Sequence, residues 1–312
     1  MIQPHNILSL HADSSVRNVA LTLVKTDGID ILDTPKGFHR PLPEDLQQEL
    51  IQNKNISLDD EKRIQDLDKK TTDFFIELLT EAKNTWPTEK IDYISISGVF
   101  LSLSAETHQA IELGNLQEIA KTMNLPVIGR FVQSDMNAGG VGSPLLSVFW
   151  QQMTKNIKKP LGVVGLGGVL KLTYIGENGE LAAFDIGVGF ALIEKWITRH
   201  SLEEGDDQGL LSAKGKPDLK VVKALIRHPY FSYPIPKAVH RNDFDKLLEQ
   251  LEGLSLADGC ATLIEFMVQM IEQSGSFFTP SIENWLFIGN GRKNTTLMLK
   301  LAHRLKNVYK CE

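Results

Sequence analysis

The sequence predicts two α/β lobes, each a mixed sheet flanked by helices, and three features carry that prediction. The chain has 312 residues, beyond the size at which a single hydrophobic core usually stops growing. Each half opens with strand, turn, strand, turn, strand before its pattern becomes helical, which is a faint internal repeat. Strand-like runs separated by one helical stretch then recur at the spacing of βαβ units. The expected division is 1–158 and 159–312, with a cleft between the lobes.

In the first half, Ile7 to Leu10, Val19 to Thr26 and, past the Asp27-Gly28 turn, Ile29 to Leu32 read as a β-meander. From Ser57 to Trp86 the pattern is helical. Ser57 is the candidate N-cap, Asp59, Asp60 and Glu61 occupy the first turn, and Pro87 follows the end. The charged run Asp59 to Lys70 is a solvated helix face. Ile91 to Ser97 and Val127 to Phe131 read as strands around a helix from Leu116 to Met123. A Gly-rich loop from Ala138 to Ser143 leads to Pro144, which is suited to start the next helix. The second meander comprises Leu161 to Leu166, Leu170 to Ile175 and, after a turn at Gly176 to Gly179, Leu181 to Asp185. Helical patterns dominate from Phe190 to Gln273. A last strand, Trp285 to Ile288, runs into Gly289-Asn290-Gly291 and a helix from Thr295 to Leu305.

Hydrophobic residues at 42% and charged residues at 23% belong to a globular chain able to bury a core. A net charge of −6 gives no electrostatic reason to expect nucleic acid or an anionic membrane as partner. Cys260 and Cys311 lack CxxC or Cys/His spacing, so neither a disulfide framework nor a zinc site is expected, and Cys260 reads as core filling. Residues Met1 to Leu10 have no basic stretch followed by an apolar run, and no later run is long enough to cross a bilayer; a cytoplasmic location is expected. His108, His200, His228, His240 and His303 are dispersed without metal-ligand spacing. Tyr230, Phe231 and Tyr233 read as packing or interface residues, and Lys171 as a solvated hairpin lysine that could also reach a phosphate.

Three Gly-containing turns follow expected strands: Gly165-Leu166-Gly167-Gly168, Asp185-Ile186-Gly187-Val188-Gly189 and Gly289-Asn290-Gly291. Glycine there can let backbone N–H groups approach a phosphate, and each such turn alone can equally be an ordinary one. None matches GxxxxGK[ST] or a full GxGxxG. Asp185 ends a strand beside two glycines, where a carboxylate can serve as general base or metal ligand. It can also cap the helix beginning near Phe190, and spacing leaves both readings open.

Phe184-Asp185-Ile186-Gly187-Val188-Gly189 resembles the FDTGPGN motif of anhydro-N-acetylmuramic acid kinases. Pro229-Tyr230-Phe231 with Pro234, Pro236, Lys237 and Arg241 resembles their PYF-x-x-P-x-PKSTGRE segment. Asp135 with Gly139-Gly140-Val141-Gly142-Ser143-Pro144-Leu145 is similar to D-I-A-x-GGQGAPL, Gly167-Gly168 to NIGGIANL, and Gly289-Asn290-Gly291 with Asn294 to GGG-x-x-N. The resemblance implies a duplicated ribonuclease H-like fold of the actin and sugar-kinase type. It also implies ATP and Mg²⁺, an anhydro-amino sugar as substrate, and a homodimer. Asp185 would be the base activating water at the anomeric carbon. Gly167, Gly168, Gly187, Gly189, Gly289, Gly291 and Asn294 would lie at the nucleotide, and Asp135 and Gly140 at the sugar.

The sequence departs from the family pattern where phosphate and sugar would be held. His11 to Ala20 aligns with M-S-G-T-S-L-D-G-V-D, so Asp13 stands where a glycine would admit phosphate. HGQT becomes Ser97-Gly98-Val99-Phe100, IGD becomes Leu113-Gly114-Asn115, and DFRRRD becomes Arg130-Phe131-Val132-Gln133-Ser134-Asp135. Gly165 and Lys171 replace the asparagines of NIGGIAN, and Ile186, Val188 and Phe190 replace Thr, Pro and Asn of DTGPGN. The chain is also expected to lack the family's terminal segment. Two functional readings follow: a kinase of this family with impaired activity, or an inactive relative serving as a binding or dimerisation module.

Overall fold

The computed structural model describes residues 3–12, 16–53, 56–57, 59–104, 109–201 and 205–310. Asp13, His108 and Cys311 lie outside them. The chain divides into two compact units, Met1–Gly142 and Ser143–Glu312. The first contains β1 (His5–Ala12), β2 (Asn18–Thr26), β3 (Lys36–Pro41), α1 (Glu44–Gln52), α2 (Glu61–Thr85), β4 (Tyr93–Ser97), β5 (Val99–Ser104), β6 (Gln109–Leu113), α3 (Leu116–Met123), β7 (Val127–Ile128) and α4 (Phe131–Asn137). Its sheet runs β3-β2-β1-β4-β7, antiparallel among the first three strands and parallel beyond. Leu8 and Leu10 on β1, Val19 and Leu21 on β2, and Ile94 and Ile96 on β4 are buried at a period of two. They share a core with Leu67, Phe75 and Leu79 of α2.

Ile29 to Leu32 is not a strand, because the Asp27 carboxylate closes the chain into a turn by accepting from the Ile29 and Asp30 N–H groups at 2.9 and 2.8 Å. The third strand comes later, as β3. Helix α2 starts at Glu61, with the Asp60 side chain, rather than Ser57, accepting from the Arg63 N–H. The strand expected at Val127 to Phe131 stops at Ile128, since Arg130 takes a left-handed conformation (φ 59°) and opens α4.

The second unit contains α5 (Ser147–Met153), β8 (Leu161–Leu166), β9 (Val169–Ile175), β10 (Leu181–Val188), α6 (Phe190–His200), α7 (Leu210–Lys214), α8 (Leu219–Leu225), α9 (Leu256–Ser274), β11 (Asn284–Ile288), α10 (Thr295–Arg304) and β12 (Val308–Lys310). Its sheet runs β10-β9-β8-β11-β12. Counted within each unit, the two sheets have the same strand order and sense, three antiparallel strands extended by two parallel ones. This is the duplicated, mixed-sheet α/β arrangement expected from the resemblance. The division expected at 158 and the observed one at 142 differ by the segment 143–158, whose α5 packs on β9 and β10. That helix begins at Ser147, past Pro144. Among the described residues no helix is long and apolar enough to cross a membrane.

Helix α9 is buried on nearly every side and packs against α6, α7, α8 and α10. Its one buried acid, Glu265, is paired with Lys300 at 2.8 Å and with Arg304, both on α10. Gly259 lies under the Trp196 indole of α6: a Cβ there would stand 2.2 Å from the ring. Alanine is ordinarily the better helix former by about 0.5–1 kcal/mol. Here overpacking reverses the preference, and Gly259→Ala should lower stability by about 1–3 kcal/mol in urea unfolding.

Candidate functional site

The hairpin β9–β10 builds the site. Strand β10 is the sheet edge, and Asp185 lies opposite Lys171 on β9. The register shifts between Asp185 and Gly187, a β-bulge that leaves Ile186 as the extra residue. Asp185 is 1% exposed. Its Oδ1 accepts from Lys171 Nζ at 2.9 Å and from Ser143 Oγ at 3.1 Å, and Lys171 also reaches Ser143 Oγ. Oδ2 accepts from the Val239 N–H at 3.2 Å. The Asp185 N–H donates to the Lys237 carbonyl at 2.9 Å, and its own carbonyl accepts from Tyr230 Oη at 2.6 Å. Every polar group of Asp185 is therefore engaged. Lys171, read from sequence as a solvated lysine or phosphate contact, is the counter-ion of this carboxylate.

The segment holding Asp185 from outside the sheet is the one resembling PYF-x-x-P-x-PK. Burial, reinforced by the charges of Asp185 and Asp243, pushes the Tyr230 phenol far above its usual range, so it is a permanent donor at neutral pH. Lys237 is 7% exposed. Its Nζ donates to the Tyr230 carbonyl at 2.9 Å and the Phe231 carbonyl at 3.4 Å, and burial pulls it down to about 8.

Gly187, Gly189, Gly289 and Gly291 are held by packing or backbone conformation, whereas a Cβ on Gly165, Gly167 or Gly168 would meet nothing nearer than 3.4 Å. A Cβ on Gly187 would meet Met270 Sδ at 2.9 Å and the Phe231 ring at 3.1 Å. The carbonyls of Gly167 and Gly168 accept from the N–H groups of Phe190 and Gly189 at 3.1 and 2.8 Å, so the first amides of α6 are spent within the protein. A Cβ on Gly189 would lie 2.6 Å from Leu170. Gly289 has φ 83°, open to glycine, and a Cβ there would lie 2.9 Å from Leu166 O. Gly291 is covered by the Phe190 ring, 2.2 Å from where its Cβ would be. Asn294, 3% exposed, caps α10 by accepting from the Leu297 N–H at 2.9 Å and donates to Asp206 at 3.2 Å.

In the first unit, Asp135 organises the Gly-rich loop. Its carboxylate accepts from the Gly142 N–H at 2.8 Å and its carbonyl from the Gly140 N–H at 2.9 Å. A Cβ on Gly140 would fall 2.1 Å from Asp135 Oδ2. Beside the segments that depart from HGQT and IGD stands Glu112 of β6, which sequence reading passed over. It is 8% exposed; Oε1 accepts from the Gly98 N–H at 3.2 Å, and Oε2 has no hydrogen-bond partner among the described residues. The signal was an acid in the middle of the apolar strand Ala110-Ile111-Glu112-Leu113. Arg130 donates to the carbonyls of Glu112 and, at 3.1 Å, Gly114.

The nucleotide and Mg²⁺ implied by the resemblance would have to displace contacts that these residues already make. Among the described residues no three His, Cys, Asp or Glu side chains gather as a metal would need. The Lys171 ammonium lies on the Asp185 oxygen that a cation would take. The N–H groups of Gly189 and Phe190 at the start of α6 already have carbonyl partners, and Phe190 covers Gly291.

The family model for anhydro-N-acetylmuramic acid kinase matches residues 6–310. The chain is 35% identical over 195 residues to the anhydro-N-acetylmuramic acid kinase of Paramagnetospirillum magneticum, a match spanning 62% of this chain and 55% of that relative. It is 28% identical over 308 residues to that of Rhodopseudomonas palustris, covering 96% of this chain and 83% of the relative. The first of these matches thus spans little more than half the relative's length. Among solved structures it is similar to a ROK family glucokinase from Streptomyces griseus in complex with glucose and AMPPNP, at 10% identity and TM-score 0.44 over 98% of this chain and 94% of that one.

Two outcomes follow from this geometry. Breaking a fully buried ion pair costs roughly 3–5 kcal/mol, and Lys171 is 43% exposed, so solvent reduces the loss. Lys171→Met should destabilise by about 1–3 kcal/mol in urea unfolding. For Glu112, burial pushes the carboxyl above its ordinary 4.5, against the Gly98 N–H and Arg130. The folded protein keeps that proton at a pH where the unfolded chain has released it. Stability contributed here is full below 4.5 and declines as pH climbs to the raised value. Glu112→Gln should melt above the parent protein at pH 7 and together with it near pH 4; parallel melting curves at both pH values would contradict this.

Proposed function

The chain belongs to the anhydro-N-acetylmuramic acid kinase family, and from that membership we propose that it is an anhydro-amino-sugar kinase of impaired turnover, with Asp185 as its base. The observation that carries the reading is the state of that carboxylate. Asp185 stands at the position of the family motif's aspartate, yet Lys171 and Ser143 take one oxygen and the Val239 N–H the other. To take a proton from water attacking an anomeric carbon, a base must touch that water. At 1% exposure, Asp185 admits water only after Lys171 leaves Oδ1. Lys171 therefore acts as a brake.

The test is ADP release from ATP and magnesium in the presence of anhydro-N-acetylmuramic acid. Turnover should be low in the unmodified chain, rise by about tenfold or more in Lys171→Asn, and vanish in Asp185→Asn, since a general base contributes roughly 10²–10⁴-fold. Turnover that does not change in Lys171→Asn would remove the brake from the proposal. Undiminished turnover in Asp185→Asn would remove the base.

A second reading, an inactive relative kept as a binding or dimerisation module in the cytoplasm, is favoured by the Phe190 ring over Gly291 and by the commitment of Asn294 to capping. It expects no heat of ATP binding at millimolar nucleotide and a dimer in sedimentation. Magnesium-dependent ATP binding strengthened by the sugar would decide for the kinase.

A further inference from the structure

Lys237 is a buried cation in want of an anion. Among the described residues no Asp or Glu forms an ion pair with it. Two carbonyls take two of its three N–H groups. The rings of Tyr230 and Phe277 lie 4.7 Å from Nζ, and that of Phe184 lies 5.6 Å away. Aromatic faces and carbonyls soften the cost of burying an ammonium without neutralising it. The downward pull on its proton affinity has the same origin.

Beside this amine lies a cavity of about 150 Å³. Phe184, Ile186, Phe231, Met270 and Phe277 make its walls, and the exposed residues Gln273 and Ser276 stand at its mouth. A cavity of about that volume, lined by apolar side chains, accommodates a benzene ring. A pocket whose wall joins aromatic and aliphatic side chains to one ammonium, with an amide and hydroxyls also in its lining, matches a small amphipathic anion.

We propose that this cavity binds a small monocarboxylate with a short apolar or single-ring tail, its carboxylate paired with Lys237 and its tail against Phe231 and Met270. The proposal is independent of whether the chain turns over a sugar, because it uses neither Asp185 side-chain oxygen. Binding would nevertheless be felt there. Lys237 donates to the carbonyl of Tyr230, whose hydroxyl holds the Asp185 carbonyl, and the Lys237 carbonyl accepts the Asp185 N–H.

The experiment titrates the full chain, labelled with ¹³C on its methionine methyls, with benzoate and, separately, with the uncharged benzyl alcohol. Benzoate should shift the Met270 resonance saturably and raise the melting temperature with concentration. Benzyl alcohol should bind at least tenfold more weakly. Lys237→Met should reduce benzoate affinity at least tenfold while leaving benzyl alcohol unchanged. Because that variant also strips donors from two carbonyls, Gln273→Trp provides a second arm: it closes the exposed mouth without touching the lysine, and should abolish both ligands' effect on Met270. Equal affinity for the charged and uncharged ligands, benzoate binding that survives either variant, or no shift of Met270 at tens of millimolar benzoate would overturn the proposal.

Discussion

A carboxylate excluded from water has to be answered by the protein, and in the second unit that demand falls on Asp185. Desolvating an ion costs several kcal/mol after relaxation, so such a group persists only where cation and hydrogen-bond donors surround it. Asp185 collects Lys171 from β9, Ser143 from the segment before α5, and the Val239 N–H from the chain that follows α8. Its backbone pairs with Lys237 and Tyr230. One residue on an edge strand thereby ties a hairpin partner, the entry to the unit and a loop with no regular strand of its own. The β-bulge beside it aims the side chain at those partners.

The same centre shows how a site of this descent keeps its outline through packing alone. Three of the glycines that would admit phosphate are held by close packing: Gly187 under Met270 and Phe231, Gly189 against Leu170, Gly291 under Phe190. A glycine needed for contact with a neighbouring side chain resists replacement whether or not a nucleotide ever arrives. Its presence therefore speaks for the fold first. Asn294 is similar, since an N-cap buried against Asp206 has a structural use of its own.

Much of the architecture was legible because period-two and period-3.6 patterns respond to burial alone. The helix at Leu116 to Met123, the first two strands of the first meander and all three of the second were readable for that reason. The failures were local competitions that pattern does not encode. Asp27 bonded its own backbone and held Ile29 to Leu32 in a turn that meets β2 only through an isolated bridge from Ile31 to Thr26, and Asp60 displaced Ser57 as the cap of α2. The hairpin of β5 and β6 and the short strand β12 were missed, each too short to announce a period. The pairing of Lys171 with Asp185 was missed although the two stand equally far from Asn178 on either side of the Gly176 to Gly179 turn, a symmetry that would have paired them.

By itself the sequence determined the family, the two α/β units and the candidacy of Asp185, because motif order and hydrophobic period are properties of the chain. Only the tertiary structure decided what Asp185 touches. Whether a carboxylate at a strand end meets water, a metal or a lysine depends on which groups the packing of distant segments brings within about 3 Å, and no local pattern carries that distance.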